Sequence, residues 1–216
     1  MSAMKGKFLL PLIFVAVFAV SRIPGLLPLN FSAAYAFAFC AGVFFTGALA
    51  WALPLGVMLA TDIALNLYYS SQGISVWDWP DLKGQLINYA AFAALILLGR
   101  GFKKRTSFIH LLGGGLLGAI LFYLVTNTAS WLFNPFHNPE YTKNLAGWII
   151  ALTKGTGGYP TTLEFFRNTL LSGGLFTALF AAAQKFTAES PAEKNAGTRE
   201  PEAEAEAEAK PEEAKA

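Results

Sequence analysis

Cysteine and histidine are nearly missing from this 216-residue chain, which has one Cys and two His. That excludes a disulfide framework and a Cys/His metal centre. Cys40 stands in an apolar run and reads as a small buried hydrophobe. His110 and His137 have no second His or Cys at ligand spacing, so neither a metal nor another cofactor is expected. Charge is scarce too. Only 14% of residues are Asp, Glu, Lys or Arg, against about 25% in an ordinary soluble domain. No nucleophile elbow, HExxH or phosphate-cradling loop occurs. The run 113–118 is glycine-rich, but it packs helices rather than holding a nucleotide. The chain is therefore not expected to be an enzyme.

What is present is apolar surface. Hydrophobic residues make up 54% of the chain, with a mean hydropathy of +0.44. That composition predicts an integral membrane protein, with the lipid bilayer as its first partner. The net charge of +2 hides an asymmetry. Residues 1–185 carry twelve Lys/Arg against five Asp/Glu, and residues 186–216 carry four against nine. The basic excess on the body is explained by membrane orientation, and no nucleic acid partner is expected. The acidic, Glu/Ala-rich end has almost nothing to bury and predicts a disordered tail over 186–216.

The body, 1–185, predicts an all-α membrane domain of six transmembrane helices, at about 8–28, 32–48, 50–69, 85–100, 106–133 and 160–184. Lys5 and Lys7 before the first apolar run give it the look of a secretory leader, with Ala19-Val20-Ser21 as a cleavage site. Ile23, Leu26 and Leu27 continue the apolar pattern and favour an uncleaved first helix. Gly113, Gly114, Gly115 and Gly118 predict close helix approach in the fifth span. Residues 141–152 predict an amphipathic surface helix inside a long loop. Six spans place both termini on one side, with Lys5, Lys7, Arg100, Lys103, Lys104, Arg105 and Lys185. By the positive-inside rule that side is the cytoplasm, and the expected location is a bacterial inner membrane.

The stretch 51–69 organises the rest, because it carries Asp62 with Asn66 one turn later. A carboxylate at the centre of a spanning helix costs roughly 2.5–3.5 kcal/mol on insertion scales. It is therefore expected to face the bundle interior. The other spans supply polar groups in the same outward half: Arg22, Asn88, Asn127, Glu164, Arg167 and Asn168, with Asn30 at a turn. Glu164 lies three residues from Arg167 and four from Asn168, so all three neighbour one another on a helix. Arg22 is the natural cross-bundle partner of Asp62 or of Glu164. Together with Trp131, these residues form a candidate outward-facing pocket for a small solute. The alternative is that the charges and amides lock helices together with no ligand. The protein would then be a structural or assembly protein whose acidic tail recruits a cytoplasmic partner.

The run Arg22-Ile23-Pro24, then Asn30-Phe31-Ser32 leading into an Ala/Phe-rich helix, then LPLGVMLATD, resembles the opening of an uncharacterised bacterial family of six-helix membrane proteins. Asn127-xxx-Trp131 and YPTTLEFFRNTLLSGGLF continue the resemblance, which covers about 8–184. That family is in turn similar to the substrate-binding S-components of energy-coupling factor transporters. The similarity implies cytoplasmic termini, a vitamin-like solute on the outer side, and docking onto a transmembrane coupling protein with two ATPases. S-components often carry AxxxA patches on the first helix. Here Ala16 and Ala19 are three apart, and the AxxxA spacing falls on Ala90 and Ala94 instead.

Overall fold

The computed structural model describes residues 2–189, which form seven helices: α1 (Ser2–Ser21), α2 (Ala34–Phe44), α3 (Leu49–Ser71), α4 (Trp79–Arg100), α5 (Phe108–Phe133), α6 (Leu145–Thr153) and α7 (Thr162–Glu189). No strand occurs among these residues. The expected tail falls outside the described residues from 190 onward. α7 runs to Glu189, a few residues beyond the expected end of the membrane domain.

Three helices, α3, α4 and α5, are long and apolar enough to cross a membrane. In their most apolar stretches only 22%, 28% and 28% of the residues are buried inside the fold. Leu59, Ile63, Leu67, Leu97 and Leu117 remain exposed. Apolar surface on that scale needs a hydrocarbon solvent rather than water.

The six-span expectation is corrected in part. α2 has 11 residues, about 16 Å of helix, against a hydrocarbon core of about 30 Å. All 11 of its residues are buried. α2 is the central post of the bundle, packed by α1, α3, α4, α5 and α7. It ends at Phe45, which is extended, ahead of Gly47 in the left-handed region (φ 60°). α7 has the length to span, but Arg167, Asn168 and its glycine and hydroxyl residues hold it below the hydropathy of α3–α5. The described apolar part of α1 is Leu9–Ser21. α1 stops at Ser21 instead of continuing to 28. Pro24, Gly25 (φ 78°) and Pro28 cannot extend a helix. Residues 22–33 form a linker instead.

Phenylalanine builds the core around α2. Phe14 of α1 stacks on Phe180 of α7 at 3.9 Å between ring centroids, and Phe37 of α2 meets both rings at 6.0 and 6.4 Å. Glycine sets how closely helices approach. Gly42 of α2 and Gly99 of α4 face each other. A Cβ on Gly42 would collide with the carbonyl oxygen of Ile96, and one on Gly99 with that of Phe39. On α5, Gly115 admits Thr177 of α7, and Gly114 admits the rings of Phe39 and Phe102.

α6, close to the expected surface helix, covers the α5 end of the bundle. Asn144 caps it by accepting from the Gly147 backbone N–H at 2.9 Å. Trp148 donates to Thr128 at 3.0 Å, and the Tyr123 hydroxyl donates to the Leu152 carbonyl. Removing the cap with Asn144→Ala is expected to cost about 1 kcal/mol. The loss should be confined to this element. Hydrogen exchange should accelerate at 145–153 while α2 and α4 keep their protection.

Candidate functional site

The linker 22–33 is held in place by one serine. The Ser21 hydroxyl donates to the Phe18 carbonyl at 2.7 Å and accepts from the Ala33 backbone N–H at 3.0 Å. The end of α1 is thereby tied to the start of α2. Asn30 sits in the left-handed region (φ 60°), and its carbonyl accepts from the Tyr35 hydroxyl at 3.2 Å. Asn168 of α7 donates to the Leu29 carbonyl at 2.9 Å. The linker is thus pinned to α2 and α7, and Arg22 projects from its first position.

The Arg22 guanidinium pairs with Oδ1 of Asp62, the one ion pair among the described residues. The Tyr89 hydroxyl of α4 donates to Oδ2 of the same carboxylate at 2.8 Å. Both oxygens of Asp62 are therefore engaged, one by the linker and one by α4. Arg22 also lies over the Phe18 ring, 5.8 Å from its centroid. The pair is half-buried, with 20% of the Arg22 side chain and 15% of the Asp62 side chain exposed. One turn along α3, Asn66 accepts from the Gln85 amide of α4 at 3.2 Å. A polar seam thus joins the end of α1, the middle of α3 and the first half of α4.

Aromatic rings cluster near that seam and line the same cavity. Tyr35, Phe92 and Phe122 form a cluster with centroid separations of 4.8 to 6.3 Å. Tyr123 of α5 packs on Phe166 of α7 at 4.2 Å, with the rings 31° from parallel. Seam and rings together line a cavity of about 700 Å³. It opens at the end of the bundle where α1, α3 and α5 finish and α2, α4 and α7 begin. The basic loop after Arg100 lies at the other end of α4.

Arg22, Asn30, Asp62, Asn66, Asn88 and Asn127 all line this cavity. Arg22 does so from the linker rather than from within the first span. Asn127 uses its amide N–H to bond the Tyr123 carbonyl at 2.8 Å. Trp131, Glu164, Arg167 and Asn168 lie outside the lining. The Trp131 indole donates to the Thr142 carbonyl at 2.7 Å, and Lys143 sits over its ring. Glu164 forms a capping box: it accepts from the Thr161 backbone N–H and hydroxyl at 2.8 and 2.9 Å, and its own N–H donates back at 3.2 Å. The expected Glu164–Arg167 pair does not form, because the cap takes the carboxylate, and Arg167 is exposed.

Tyr35, Gln85, Tyr89 and Thr169 also face the cavity or its seam without being expected there. Tyr89 stands in the middle of α4 in an otherwise apolar stretch and carries no charge to mark it. Gln85 stood at the assumed first position of its span, whereas α4 starts six residues earlier. No three His, Cys, Asp or Glu side chains among the described residues come together as a metal site requires.

Membrane-length helices around a buried central helix, with an amphipathic chamber at one end, define an integral membrane protein of all-helical fold. The chain belongs to the family of unknown function DUF6580, whose model matches residues 2–195. That agrees with the uncharacterised family indicated by the motifs. Comparison with curated proteins and with solved structures gives no match.

Proposed function

We propose that this protein binds a small, vitamin-like solute in the chamber and takes part in its transport, without catalysing a reaction. The observation that carries this reading is the chamber itself. Its volume of about 700 Å³ lies inside the range of small-molecule sites, roughly 300–1,000 Å³. It also combines aromatic walls with a few convergent polar groups. Intramembrane ionisable groups gathered at one depth are the usual mark of a solute path.

In this reading the membrane is a bacterial inner membrane and both termini are cytoplasmic. Arg100, Lys103, Lys104 and Arg105 gather at the end of α4 away from the chamber, which would set the chamber toward the periplasm. An S-component-like role adds a transmembrane coupling protein with ATPases as partner.

A panel of vitamins and nucleobases titrated against the purified protein tests the proposal. Arg22→Ala and Asp62→Asn should weaken the detected affinity by about tenfold or more, since each removes a charge-assisted bond at the chamber wall. Arg167→Ala and Glu164→Gln should leave it unchanged. Unaltered affinity in the Arg22 and Asp62 variants would remove these two residues from the site, and no binding by any member of the panel would remove the chamber itself.

One observation favours a second reading. Both Asp62 oxygens are already satisfied within the protein, as a helix staple requires. The protein would then be a structural or assembly protein, and its acidic end would recruit a cytoplasmic partner.

A further inference from the structure

The chamber's charge and the Asn66–Gln85 amide pair in its lining point to the class of molecule it takes; this rests on the binding role proposed above. We propose that the ligand is an uncharged, flat nitrogen heterocycle bearing a lactam or aminopyrimidine edge, bound by the Asn66–Gln85 pair and stacked on the aromatic wall.

Charge comes first. The lining holds Arg22, Asp62 and Asp81 and no Lys or His. Arg22 is matched by Asp62, so an entering anion meets no unpaired cation. To reach the guanidinium it would have to displace the carboxylate and leave that buried and repelling it, a built-in penalty against acids and phosphates. Asp81 sits in the first turn of α4, where the helix N-terminus compensates a negative charge. Apart from Asp81, which lies beside Asp78 at the start of α4, the charges of the lining cancel.

Hydrogen bonding comes second. Asn66 is 7% exposed, and its one partner among the described residues is the Gln85 amide. Each amide has a donor end and an acceptor end. Joining one end of each leaves the Asn66 NH₂ and the Gln85 carbonyl without a partner among the described residues, on two side chains that both line the chamber. Turning both amides over reverses their order and keeps the pair. A lactam N–H–C=O or an aminopyrimidine N–C–NH₂ edge presents the complement. A sugar hydroxyl matches either group singly, but a planar edge matches both at once.

Shape comes third. Tyr35, Phe92, Phe122, Tyr123 and Phe166 give the chamber an aromatic lining. A flat π system gains there through stacking, which a polyol or an aliphatic amine does not.

The full chain in detergent, titrated calorimetrically, separates the possibilities. The probes are adenine, guanine, xanthine, adenosine, inosine and lumichrome as neutral rings. AMP, IMP and nicotinate serve as anions, 1-methyladenosine and spermidine as cations, and sucrose and trehalose as neutral non-aromatics. We expect the tightest probe to be a neutral ring, with its phosphorylated counterpart at least about a hundredfold weaker. Gln85→Leu and Asn66→Ala should each weaken that probe about tenfold or more, while thermal unfolding shows both variants folded. Gln85→Glu, which keeps the carbonyl-type acceptor, should lose less than Gln85→Leu. Tightest binding by an anion, a cation or a sugar would overturn the assigned class and leave a binding chamber standing. No binding by any probe would overturn the chamber reading itself and this inference with it. Equal binding of a ring by wild type and by both amide variants would overturn the assigned edge contact.

Discussion

Leucine at Gly42 or Gly99 is expected to leave little folded protein. These glycines lie where α2 and α4 touch backbone to backbone. The Gly42 and Gly99 positions approach so closely that an added Cβ at either comes within 3.1 Å of the other's Cα, besides striking a carbonyl oxygen. A carbonyl on a helix cannot rotate away as a flexible side chain can. The helices would have to separate, and α2 has nowhere to go, since every residue on it is already buried. One inserted methyl in a tight core costs about 1–3 kcal/mol. Alanine should therefore lower the unfolding temperature clearly, and leucine should abolish a monodisperse peak on gel filtration. Gly113→Ala is the counterpart. Nothing lies within 4 Å of a Cβ there, and alanine favours helix over glycine by about 1 kcal/mol. That variant should unfold at the wild-type temperature or above. If Gly99→Leu purified as a folded monomer with an unchanged midpoint, the close α2–α4 crossing would be wrong.

How far such contacts were visible in advance depends on whether they leave a local pattern. The glycine cluster from Gly113 to Gly118 is dense enough to announce close packing, and Gly114 and Gly115 do face neighbouring helices. Gly42 and Gly99 are isolated glycines on different helices, and only the tertiary fold makes them a pair. The same holds for α2. Its Ala/Phe-rich sequence reads as a membrane span because a helix wrapped in protein and one wrapped in lipid are equally apolar. The end of α1 was hidden by Ile23, Leu26 and Leu27, whose hydropathy outweighed the breaker residues around them. The chamber was more legible. Asp62 and Asn66 sit at helical spacing on an otherwise apolar span, and a buried carboxylate demands partners. Arg22 is one, while Tyr89 gave no such signal, because a tyrosine is unremarkable in either setting. Glu164 and Arg167 misled for the opposite reason. They carry conspicuous charge, but in the first two turns of α7, where a capping box at Glu164 and the exposure of Arg167 account for it without any pocket.

The Arg22–Asp62 pair decides between a binding chamber and a staple through a double substitution. Asp62→Ala strands the guanidinium and the Tyr89 hydroxyl at a half-buried position, and Arg22→Ala strands the carboxylate. Removing one partner of a buried pair costs about 3–5 kcal/mol, and the residual exposure of both side chains places the expected loss at the low end. The double variant Arg22→Met/Asp62→Leu leaves no stranded charge. It should recover most of that loss, because an apolar pair of similar volume often replaces a buried ion pair without penalty. Thermal unfolding of the four proteins measures the coupling. Stability alone does not separate the two readings, since a staple and a chamber wall both predict this rescue. Ligand affinity does. A staple acts only by holding α1 to α3, so a stable double variant should function as the wild type does. A chamber wall also presents charge and shape to the solute, so the same folded double variant should stay deficient in binding. Recovery of both stability and affinity would reduce Arg22 and Asp62 to a clamp between helices, and would move the recognition of any solute to the amides beneath them.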